Sequence, residues 1–337
     1  MELIERIKAF ALLGNKIDHL SADERAEICD QASHLNPWFV RESIELSLTG
    51  VSWFLKEENL SNWVSSYNLS DEKNKKVGIA MAGNIPLVGF HDYLCVLISG
   101  NEVVIKLSSL DSYLLPKINS WLIEIETRFA TKIHFEERLN NVDAIIATGS
   151  DNTARYFEYY FRNIPHIIRK NRSSIAILMG EEDRVHLTEL GKDVFSYFGL
   201  GCRNISKLFV PEGYEFIKLL DSWDSYKGLI NHHKYANNYD YQKSILLVNK
   251  IRHLDNGFVL VTQNEQLVSP ISVVYFETYT TQSDLKKKIK IQKDKIQCIV
   301  SVNGWFEGSV PFGKAQLPEL MDYADGIDTL KFLSEIN

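Results

Sequence analysis

Residues 77–108 read VGIAMAGNIPLVGFHDYLCVLISGNEVVIKLS, and this stretch indicates the class of fold. Its short apolar run at 77–81 is typical of a buried strand. The mostly apolar run at 86–98 predicts a helix, and Gly100 suits the cap that ends it. A second buried strand is predicted at 103–105. A strand, a helix and a second strand in this order predict two parallel strands joined by a crossover helix.

The same alternation extends to the C-terminal side of this stretch. Further strands are predicted at 133–135, 144–147, 174–179, 206–210, 258–261, 271–276 and 296–302. Further helices are predicted at 111–129, 152–161 and 183–198. Short apolar strands that alternate with helices indicate parallel sheets covered on both faces. The sequence therefore predicts a Rossmann-like α/β layer followed by a second α/β lobe.

Helices are predicted before residue 77. Ser21 and Glu24 have the spacing of a capping box, in which each side chain accepts a hydrogen bond from the other residue's backbone N–H. Asn36 and Pro37 predict the start of another helix, because proline at the first helical position removes no intrahelical hydrogen bond. We therefore expect a helical N-terminal segment ahead of the α/β layers.

Composition and charge exclude several classes of function. The net charge of -7 argues against nucleic-acid binding, and the basic run at 286–295 is interpreted as the solvated face of a helix rather than a phosphate-attracting patch. No stretch approaches the roughly 18 apolar residues of a membrane-spanning helix. The four cysteines lie far apart, which argues against zinc and against a disulfide scaffold. Because the N-terminus also lacks the pattern of a secretion signal, a cytoplasmic protein is expected.

Cys202 is the sharpest candidate for chemistry. It follows a glycine turn, GLG at 199–201, that comes after a predicted helix and precedes a predicted strand. Arg203 and Lys207 could favour its thiolate, which is the nucleophilic form of cysteine. The alternative interpretation is a small buried apolar residue, which describes most lone cysteines.

Two pairs of residues at strand ends are candidates for binding a dinucleotide. The GxGxxG fingerprint is absent, so a dinucleotide would have to bind in another way. Gly149 and Ser150 lie between a predicted strand and a predicted helix, whose N-terminus favours phosphate. Lys106 and Ser108 follow the second strand, where they could bind a ribose or its 2′-phosphate. The alternatives are an ordinary turn and a surface charge.

Five short segments together point to a family. They are AGNIPL at 82–87, GNEVVIKLS at 100–108, ATGS at 147–150, GC at 201–202 and VPFGK at 310–314. Their order and spacing resemble the aldehyde dehydrogenase superfamily, from about residue 75 to the C-terminus. The chain is most similar to acyl-CoA reductases, of which the reductase subunit of the bacterial bioluminescence fatty-acid reductase is typical. Each motif is weak alone, and the resemblance rests on five of them in order with compatible spacing.

The resemblance implies a role for each matching residue. Cys202 matches the nucleophile, and Asn84 matches the asparagine whose amide forms an oxyanion hole with the backbone N–H of that nucleophile. A nicotinamide cofactor is implied, NADPH rather than the alternative NADH. The residues that match its binding site are Lys106, Ser108, Gly149, Ser150 and Glu265. No metal site is expected.

Two segments depart from the superfamily pattern. The glutamate that activates the hydrolytic water in aldehyde-oxidising members is missing, because segment 168–173 reads IRKNRS. Its loss favours reduction, which needs no activated water. The basic side chains of this segment, Arg169, Lys170 and Arg172, are interpreted as solvated surface charges, or as ligands of coenzyme A or of cofactor phosphates. Glu265, in EQLVSP at 265–270, is displaced by one position from the glutamate that holds the nicotinamide ribose.

Together these features predict an aldehyde dehydrogenase-like α/β fold in two domains. Residues 1–172 are expected to form the N-terminal helices and the cofactor-binding domain, and residues 173–320 the catalytic domain. The tail at 321–337 is expected to contain a strand at 329–333 that could pair with a second subunit. A homo-oligomer is therefore expected.

The expected function is an acyl-CoA reductase that forms a fatty aldehyde from a cysteine-bound acyl group. One alternative is a reductase of another activated acyl donor, such as an acyl carrier protein. A second alternative is a non-catalytic cofactor-binding subunit. An acyl-transferring enzyme is a further expected partner, and no nucleic acid or membrane span is expected.

Overall fold

The computed structural model describes residues 1–69, 74–149 and 151–336. The chain forms two compact units. The first consists of Met1–Asn171 with Pro318–Asn337, and the second of Arg172–Leu317. The polypeptide therefore leaves the first unit once and returns to it near its C-terminal end.

Four helices precede the first strand within the described ranges. They are α1 (Leu3–Asp18), α2 (Ala22–Leu35), α3 (Arg41–Phe54) and α4 (Glu57–Val64). The capping box at the start of α2 is confirmed, since the Glu24 N–H donates to Ser21 Oγ (3.2 Å) and the Ser21 N–H donates to Glu24 Oε2 (2.8 Å). Apolar residues of these helices belong to the main core of the first unit.

The helix predicted to start at Asn36 and Pro37 starts later, at Arg41. Asn36 instead ends the preceding helix, and its Oδ1 accepts the Trp38 N–H at 3.1 Å. Its Nδ2 donates to the Leu110 carbonyl at 3.1 Å. These hydrogen bonds hold a turn at the residue before proline, a position where helical backbone is disfavoured.

The first unit contains a parallel sheet. In the part of the chain that the structure describes, its strands are β1 (Lys76–Ala80), β2 (Glu102–Lys106), β3 (Ile133–Phe135), β4 (Ala144–Thr148) and β5 (His166–Arg169). Their order across the sheet is β3-β2-β1-β4-β5, and each neighbouring pair is parallel. The predicted Rossmann-like layer is confirmed. β5 is missing from the predicted strands, since only Ile167 and Ile168 form its apolar run.

Strand residues alternate between two hydrophobic clusters. Ile79, Ile105 and Ile146 belong to the cluster that includes the N-terminal helices. Ala80 and Ile145 belong to a second, smaller cluster. Both faces of the sheet are therefore buried, which explains why its strands read as continuous apolar runs.

Helices connect these strands, and two of them are shorter than predicted. They are α5 (Phe90–Ile98), α6 (Leu114–Ile125) and α7 (Asp151–Phe161). Before α5, Leu87 has a φ of 57°, which interrupts the helix predicted from residue 86. Although α5 is almost entirely apolar, no helix in the described part of the chain is long and apolar enough to cross a membrane.

The second unit contains a mixed sheet. In chain order its described strands are β6 (Ser173–Ile177), β7 (Ile205–Pro211), β8 (His253–Asp255), β9 (Leu260–Gln263), β10 (Val273–Tyr279), β11 (Ile296–Ser301) and β12 (Val310–Pro311). Their order is β12-β11-β6-β7-β10-β9-β8, and β8 alone among them is antiparallel. The helices are α8 (Arg184–Phe195), α9 (Ile217–Ser222), α10 (His233–Val248) and α11 (Gln282–Gln292). The second α/β lobe is confirmed, and most of the basic run lies on α11 as predicted.

The strand predicted at 329–333 is wrong, because these residues form helix α12 (Thr329–Glu335). Asp328 caps the helix, since its Oδ1 accepts the Lys331 N–H at 2.8 Å. Leu330 and Leu333, three positions apart, are both buried in the core of the first unit. The tail thus packs within its own chain, and it no longer supports the expected pairing with a second subunit.

A buried ion pair connects β5 to two helices of the first unit. Arg169 Nη1 donates to Asp92 Oδ2 on α5, and Arg169 Nη2 donates to Thr329 Oγ1 on α12 at 2.8 Å. Both charged side chains are buried. Arg169 is therefore neither a solvated charge nor available to coenzyme A phosphates, which corrects the expectation for this residue.

We expect Asp92→Ala to lower the free energy of unfolding by about 3–5 kcal/mol, because it leaves the buried Arg169 guanidinium without its carboxylate. Lys170→Ala is the matched control, since Lys170 forms an exposed pair with Glu158 (2.9 Å) that contributes less than about 1 kcal/mol. Urea unfolding followed by circular dichroism measures both. Equal, small losses for the two variants would contradict the role given to this pair.

Candidate active site

The predicted catalytic residue Asn84 and the predicted cofactor residues Lys106 and Gly149 lie at one edge of the sheet in the first unit. Asn84 is half-buried in the turn after β1, Lys106 is the exposed last residue of β2, and Gly149 follows β4. β1 pairs with β2 on one side and with β4 on the other, all in parallel. The carboxyl ends of these three strands therefore meet at the point where the strand order reverses. Ligands of open α/β sheets bind at such a point.

Gly83 allows Ser108 to approach the turn that contains Asn84. A Cβ atom on Gly83 would lie 2.5 Å from Ser108 Oγ and 2.7 Å from Ser108 Cβ. Ser108 Oγ also accepts the Leu110 N–H at 3.2 Å, which fixes its position. The structure thus brings together two segments that the sequence places 24 residues apart.

Gly149 has a similar role at the end of β4. A Cβ atom on Gly149 would lie 2.9 Å from Thr153 Cβ, so the glycine lets the first turn of α7 pack against the strand end. The Gly149 N–H donates to the Arg169 carbonyl at 3.2 Å. Ser150, the other predicted residue of this turn, lies outside the described residues. The absence of a side chain at Gly83 and Gly149 thus lets protein side chains pack tightly against the turns after β1 and β4.

Cys202 lies on an exposed turn before β7. The backbone before it is unusual, because Tyr197 (φ 52°), Phe198 (φ 57°) and Gly199 (φ 78°) are all left-handed. Left-handed residues other than glycine cost conformational free energy and cluster at functional sites. The predicted helix at 183–198 accordingly ends at Phe195.

The buried side chain of Asn204 organises the turn that carries Cys202. Its Oδ1 accepts the Gly201 N–H at 2.8 Å. Its Nδ2 donates to the carbonyls of Asp193 (3.1 Å), Val194 (3.3 Å) and Ser196 (2.8 Å). One amide thereby joins the end of α8 to the glycine before the nucleophile candidate.

The backbone of Cys202 is also tied to the sheet. Ser174 Oγ, on β6, donates to the Cys202 carbonyl at 2.9 Å. The Asn204 N–H closes the turn by donating to the Gly201 carbonyl at 3.1 Å. These bonds fix the main chain on both sides of Cys202, while its side chain stays exposed.

The two cations near Cys202 in sequence have other partners. Arg203 Nε donates to the Ala315 carbonyl at 2.5 Å, and Arg203 Nη2 contacts Cys298 Sγ at 3.8 Å. Lys207 is fully buried, and its ammonium pairs with Glu277 Oε2 at 2.5 Å. The charge of Lys207 is thus balanced within the core, which corrects its interpretation as a thiolate-stabilising cation.

Asp193 holds the predicted PFG segment next to the end of α8. Its carboxylate accepts the N–H groups of Gly313 (2.7 Å) and Ala315 (2.9 Å). Burial raises the pKa of Asp193 to about 7, although both backbone hydrogen bonds oppose the rise. The Asp193 and Arg203 side chains together fix the segment that carried the C-terminal part of the resemblance.

Glu265 lies in the exposed segment between β9 and β10. Its carbonyl accepts hydrogen bonds from Lys207 Nζ (2.8 Å) and Gln292 Nε2 (3.3 Å). Ser206 Oγ donates to the Leu267 carbonyl at 2.7 Å. Side chains of β7, the strand after Cys202, therefore hold the segment of Glu265.

The residues that organise the second unit's site were not predicted from the sequence. Asn204, Ser174 and Asp193 carry no motif, and each looks like an ordinary polar residue in the chain. Their only signal is position, since Asn204 follows Cys202 by two residues and Ser174 starts an apolar run. In the part of the chain that the structure describes, no group of histidine, cysteine, aspartate or glutamate side chains could hold a metal ion.

Comparison with known proteins shows the fold. No protein-family model matches the chain, and no curated protein matches its sequence. An indole-3-acetaldehyde dehydrogenase in complex with NAD+ is similar with a TM-score of 0.68 and 13% identity, over 94% of this chain and 74% of that one. An NAD-dependent benzaldehyde dehydrogenase from Corynebacterium glutamicum has a TM-score of 0.67 and 12% identity, over 89% and 76%. A Mycobacterium tuberculosis aldehyde dehydrogenase complexed with NAD+ has a TM-score of 0.63 and 13% identity, over 91% and 79%.

The chain therefore has the aldehyde dehydrogenase fold, as the resemblance implied. The similarity covers most of the chain and includes both compact units.

The raised pKa of Asp193 gives a testable dependence of stability on pH. Its pKa is about 7 in the folded protein and 3.8 without the fold, so between these values the native state binds the proton more tightly. The stabilisation from this proton is complete below pH 3.8 and is lost as the pH rises through about 7.

We therefore expect the wild-type protein to lose stability relative to Asp193→Asn as the pH rises from 4 to 7. The slope should reach about 1.4 kcal/mol per pH unit at most. Urea unfolding of both proteins at several pH values measures this difference. A difference that does not change with pH would show that the Asp193 carboxyl titrates normally.

Proposed function

We propose that the protein is a nicotinamide-dependent oxidoreductase that reduces an acyl thioester, preferentially an acyl-CoA, to an aldehyde. The observation that carries this proposal is the exposed thiol of Cys202 on a turn whose backbone is held by Asn204 and Ser174. A nucleophile needs access to substrate and a fixed position, and this turn provides both. The aldehyde dehydrogenase fold supports the oxidoreductase class.

The proposed first step uses only residues of the chain and the thioester. The Cys202 thiolate attacks the carbonyl carbon, and the negative charge moves to the carbonyl oxygen. The Cys202 N–H is the proposed donor to this oxyanion, and the resemblance implies a second donor, the side-chain amide of Asn84. When the carbon–sulfur bond to coenzyme A breaks, coenzyme A leaves as a thiolate and the acyl group stays on Cys202. The resting thiol pKa of about 8.5 makes coenzyme A a good leaving group.

The cofactor is proposed to bind at the carboxyl edge of the first sheet. The residues there fit a dinucleotide, because Lys106 is an exposed cation and Gly149 lies between the end of β4 and the N-terminus of α7, a place that favours phosphate. Lys106 and Ser108 would hold the adenosine ribose, and exposed Lys106 could reach a 2′-phosphate, which favours NADPH over NADH. A bound nicotinamide would supply the hydride that reduces the acyl group. Two of the similar structures contain NAD+.

A missing carboxylate favours one direction of the reaction. Hydrolysis of an acyl-cysteine needs a general base that activates water, and in the aldehyde-oxidising enzymes that the sequence resembles this base is a glutamate. Segment 168–173 supplies none, and the buried Arg169 in it is already paired with Asp92. An acyl group on Cys202 is thus more readily reduced than hydrolysed, which supports a reductase over an aldehyde oxidase.

Acyl transfer to Cys202 is tested directly by mixing the protein with radiolabelled long-chain acyl-CoA in the absence of cofactor, followed by denaturing electrophoresis. We expect the wild type to retain the label, Cys202→Ala to lose it, and the control Cys29→Ala to retain it, because Cys29 is buried among the N-terminal helices. Addition of NADPH should release the label as an aldehyde.

Failure of this labelling has a defined meaning. A wild-type protein that takes no label from acyl-CoA of several chain lengths, but takes it from an acyl carrier protein, would identify the other acyl donor. A protein that takes no label from either donor would contradict the reductase and leave the non-catalytic cofactor-binding subunit.

The proposed cofactor edge predicts that Gly83→Ala weakens NADPH binding by about tenfold or more, since the new Cβ would displace Ser108 or the turn of Asn84. Quenching or enhancement of NADPH fluorescence measures the dissociation constant. Gly50→Ala is the control, because a Cβ atom there would meet nothing within 4 Å. Equal affinities for wild type and Gly83→Ala would place the cofactor elsewhere.

A further inference from the structure

We propose that Lys207 is a positioning residue, which fixes the backbone of Glu265 and thereby the nicotinamide end of the bound cofactor. This inference rests on the proposed function, because it needs Glu265 to contact the cofactor. Lys207 itself touches neither substrate nor cofactor in this proposal. It acts through the segment 264–268, which we call the Glu265 segment.

The geometry of Lys207 is unusual for a lysine. The side chain is fully buried on β7, and its Nζ donates to the Glu265 carbonyl at 2.8 Å and to Glu277 Oε2 at 2.5 Å. The Nζ atom also lies 5.1 Å from the centre of the Phe209 ring. A lysine is almost never fully buried unless it is paired, so the polar partners of Lys207 must explain its burial.

Glu277, on β10, balances the charge of Lys207, but this ion pair does not explain why a lysine occupies position 207. The same carboxylate binds Lys288 Nζ through Oε1 at 3.0 Å, so it has a second cation. Burial alone would raise the pKa of Glu277, but the hydrogen bonds from Lys207 and Lys288 outweigh it and lower the pKa, so the carboxylate is ionised at neutral pH. Lys288 also donates to the Thr278 carbonyl at 2.8 Å, whereas the Glu265 carbonyl is bound by Lys207.

A buried ion pair seldom improves stability over an apolar pair of the same size. What an apolar side chain at position 207 could not do is bind the Glu265 carbonyl. Besides Lys207, that carbonyl accepts a hydrogen bond from the neutral Gln292 Nε2, at the longer distance of 3.3 Å. The hydrogen bond from a charged donor is therefore the distinctive contribution of Lys207.

β7 connects this segment to the nucleophile. Ser206 and Lys207 follow Cys202 by four and five residues, and both donate to carbonyls of the Glu265 segment, at Leu267 and Glu265. One strand thus fixes the relative position of the Cys202 turn and the Glu265 segment within the second unit. Reduction of an acyl group on Cys202 needs the nicotinamide at a defined distance from the sulfur, and a fixed Glu265 would provide it.

The test compares Lys207→Met with Lys288→Met in the full-length protein. Both variants remove one lysine from Glu277, but only the first removes a donor from the Glu265 carbonyl. Three quantities are measured: hydrogen exchange of the backbone amides at 264–268 without cofactor, the dissociation constant of NADPH by fluorescence, and acylation of Cys202 without cofactor.

We expect Lys207→Met to accelerate exchange at 264–268 and to weaken NADPH binding by about tenfold, the effect of losing one hydrogen bond to a charged group. Acylation of Cys202 should be unchanged, since it needs no cofactor. Lys288→Met should leave all three quantities near those of the wild type. If Lys207→Met does not fold, Ser206→Ala replaces it in the test. This variant removes the donor to the Leu267 carbonyl, and we expect it to change exchange and NADPH binding in the same direction.

Two results would overturn the inference. If exchange at 264–268 accelerates but NADPH affinity does not change, Lys207 has a purely structural role. If Lys288→Met weakens NADPH binding as much as Lys207→Met does, the charge on Glu277 is responsible and not the position of Glu265. Failure of the proposed function is separate, because it appears as a wild-type protein that is never acylated, while the effect of Lys207→Met on NADPH binding remains measurable.

Discussion

The hydrogen bonds of the Asn204 side chain are the constraint on which the candidate active site depends. The residues before Cys202 follow a left-handed path that is unfavourable for Tyr197 and Phe198. Asn204 stabilises this path by binding three carbonyls at the end of α8 and the Gly201 N–H. Since an amide has both donors and an acceptor, one buried side chain can satisfy backbone groups on both sides of the turn. The Cys202 side chain can thus remain exposed while its main chain is fixed.

β7 extends this fixed geometry into the rest of the second unit. Its first residue follows directly after Asn204, and its Ser206 and Lys207 side chains bind the carbonyls of the Glu265 segment. Asp193 and Arg203 bind the backbone around Ala315 in a similar way. Backbone segments of the candidate site are therefore held by side chains of α8, of β7 and of the turn between them, an arrangement that suits a site requiring fixed geometry.

In the first unit, the topology of the sheet brings the ends of several strands together. A parallel sheet whose order reverses beside β1 places the residues after β1, β2 and β4 at one edge. Gly83 and Gly149 then allow Ser108 and Thr153 to approach the backbone more closely than a Cβ atom at either glycine position would permit. The buried Arg169 pair with Asp92, and its bond to Thr329, joins the returning C-terminal helix to this sheet. Polar groups in this core are thus used to connect elements distant in sequence.

The sequence by itself determined the fold class, most strands and helices, and the residues at strand ends. This information is local, since apolar periodicity, glycine turns and motif order are visible along the chain. The 329–333 segment could not be assigned in this way, because its short apolar pattern suits a strand or a helix. In the structure it is a helix that buries Leu330 and Leu333. The partners of Arg169, Lys207 and Asn204 were decided by tertiary structure alone. From sequence alone, a charged or amide side chain is predicted to lie at the surface. Only the fold shows which buried groups its hydrogen bonds reach.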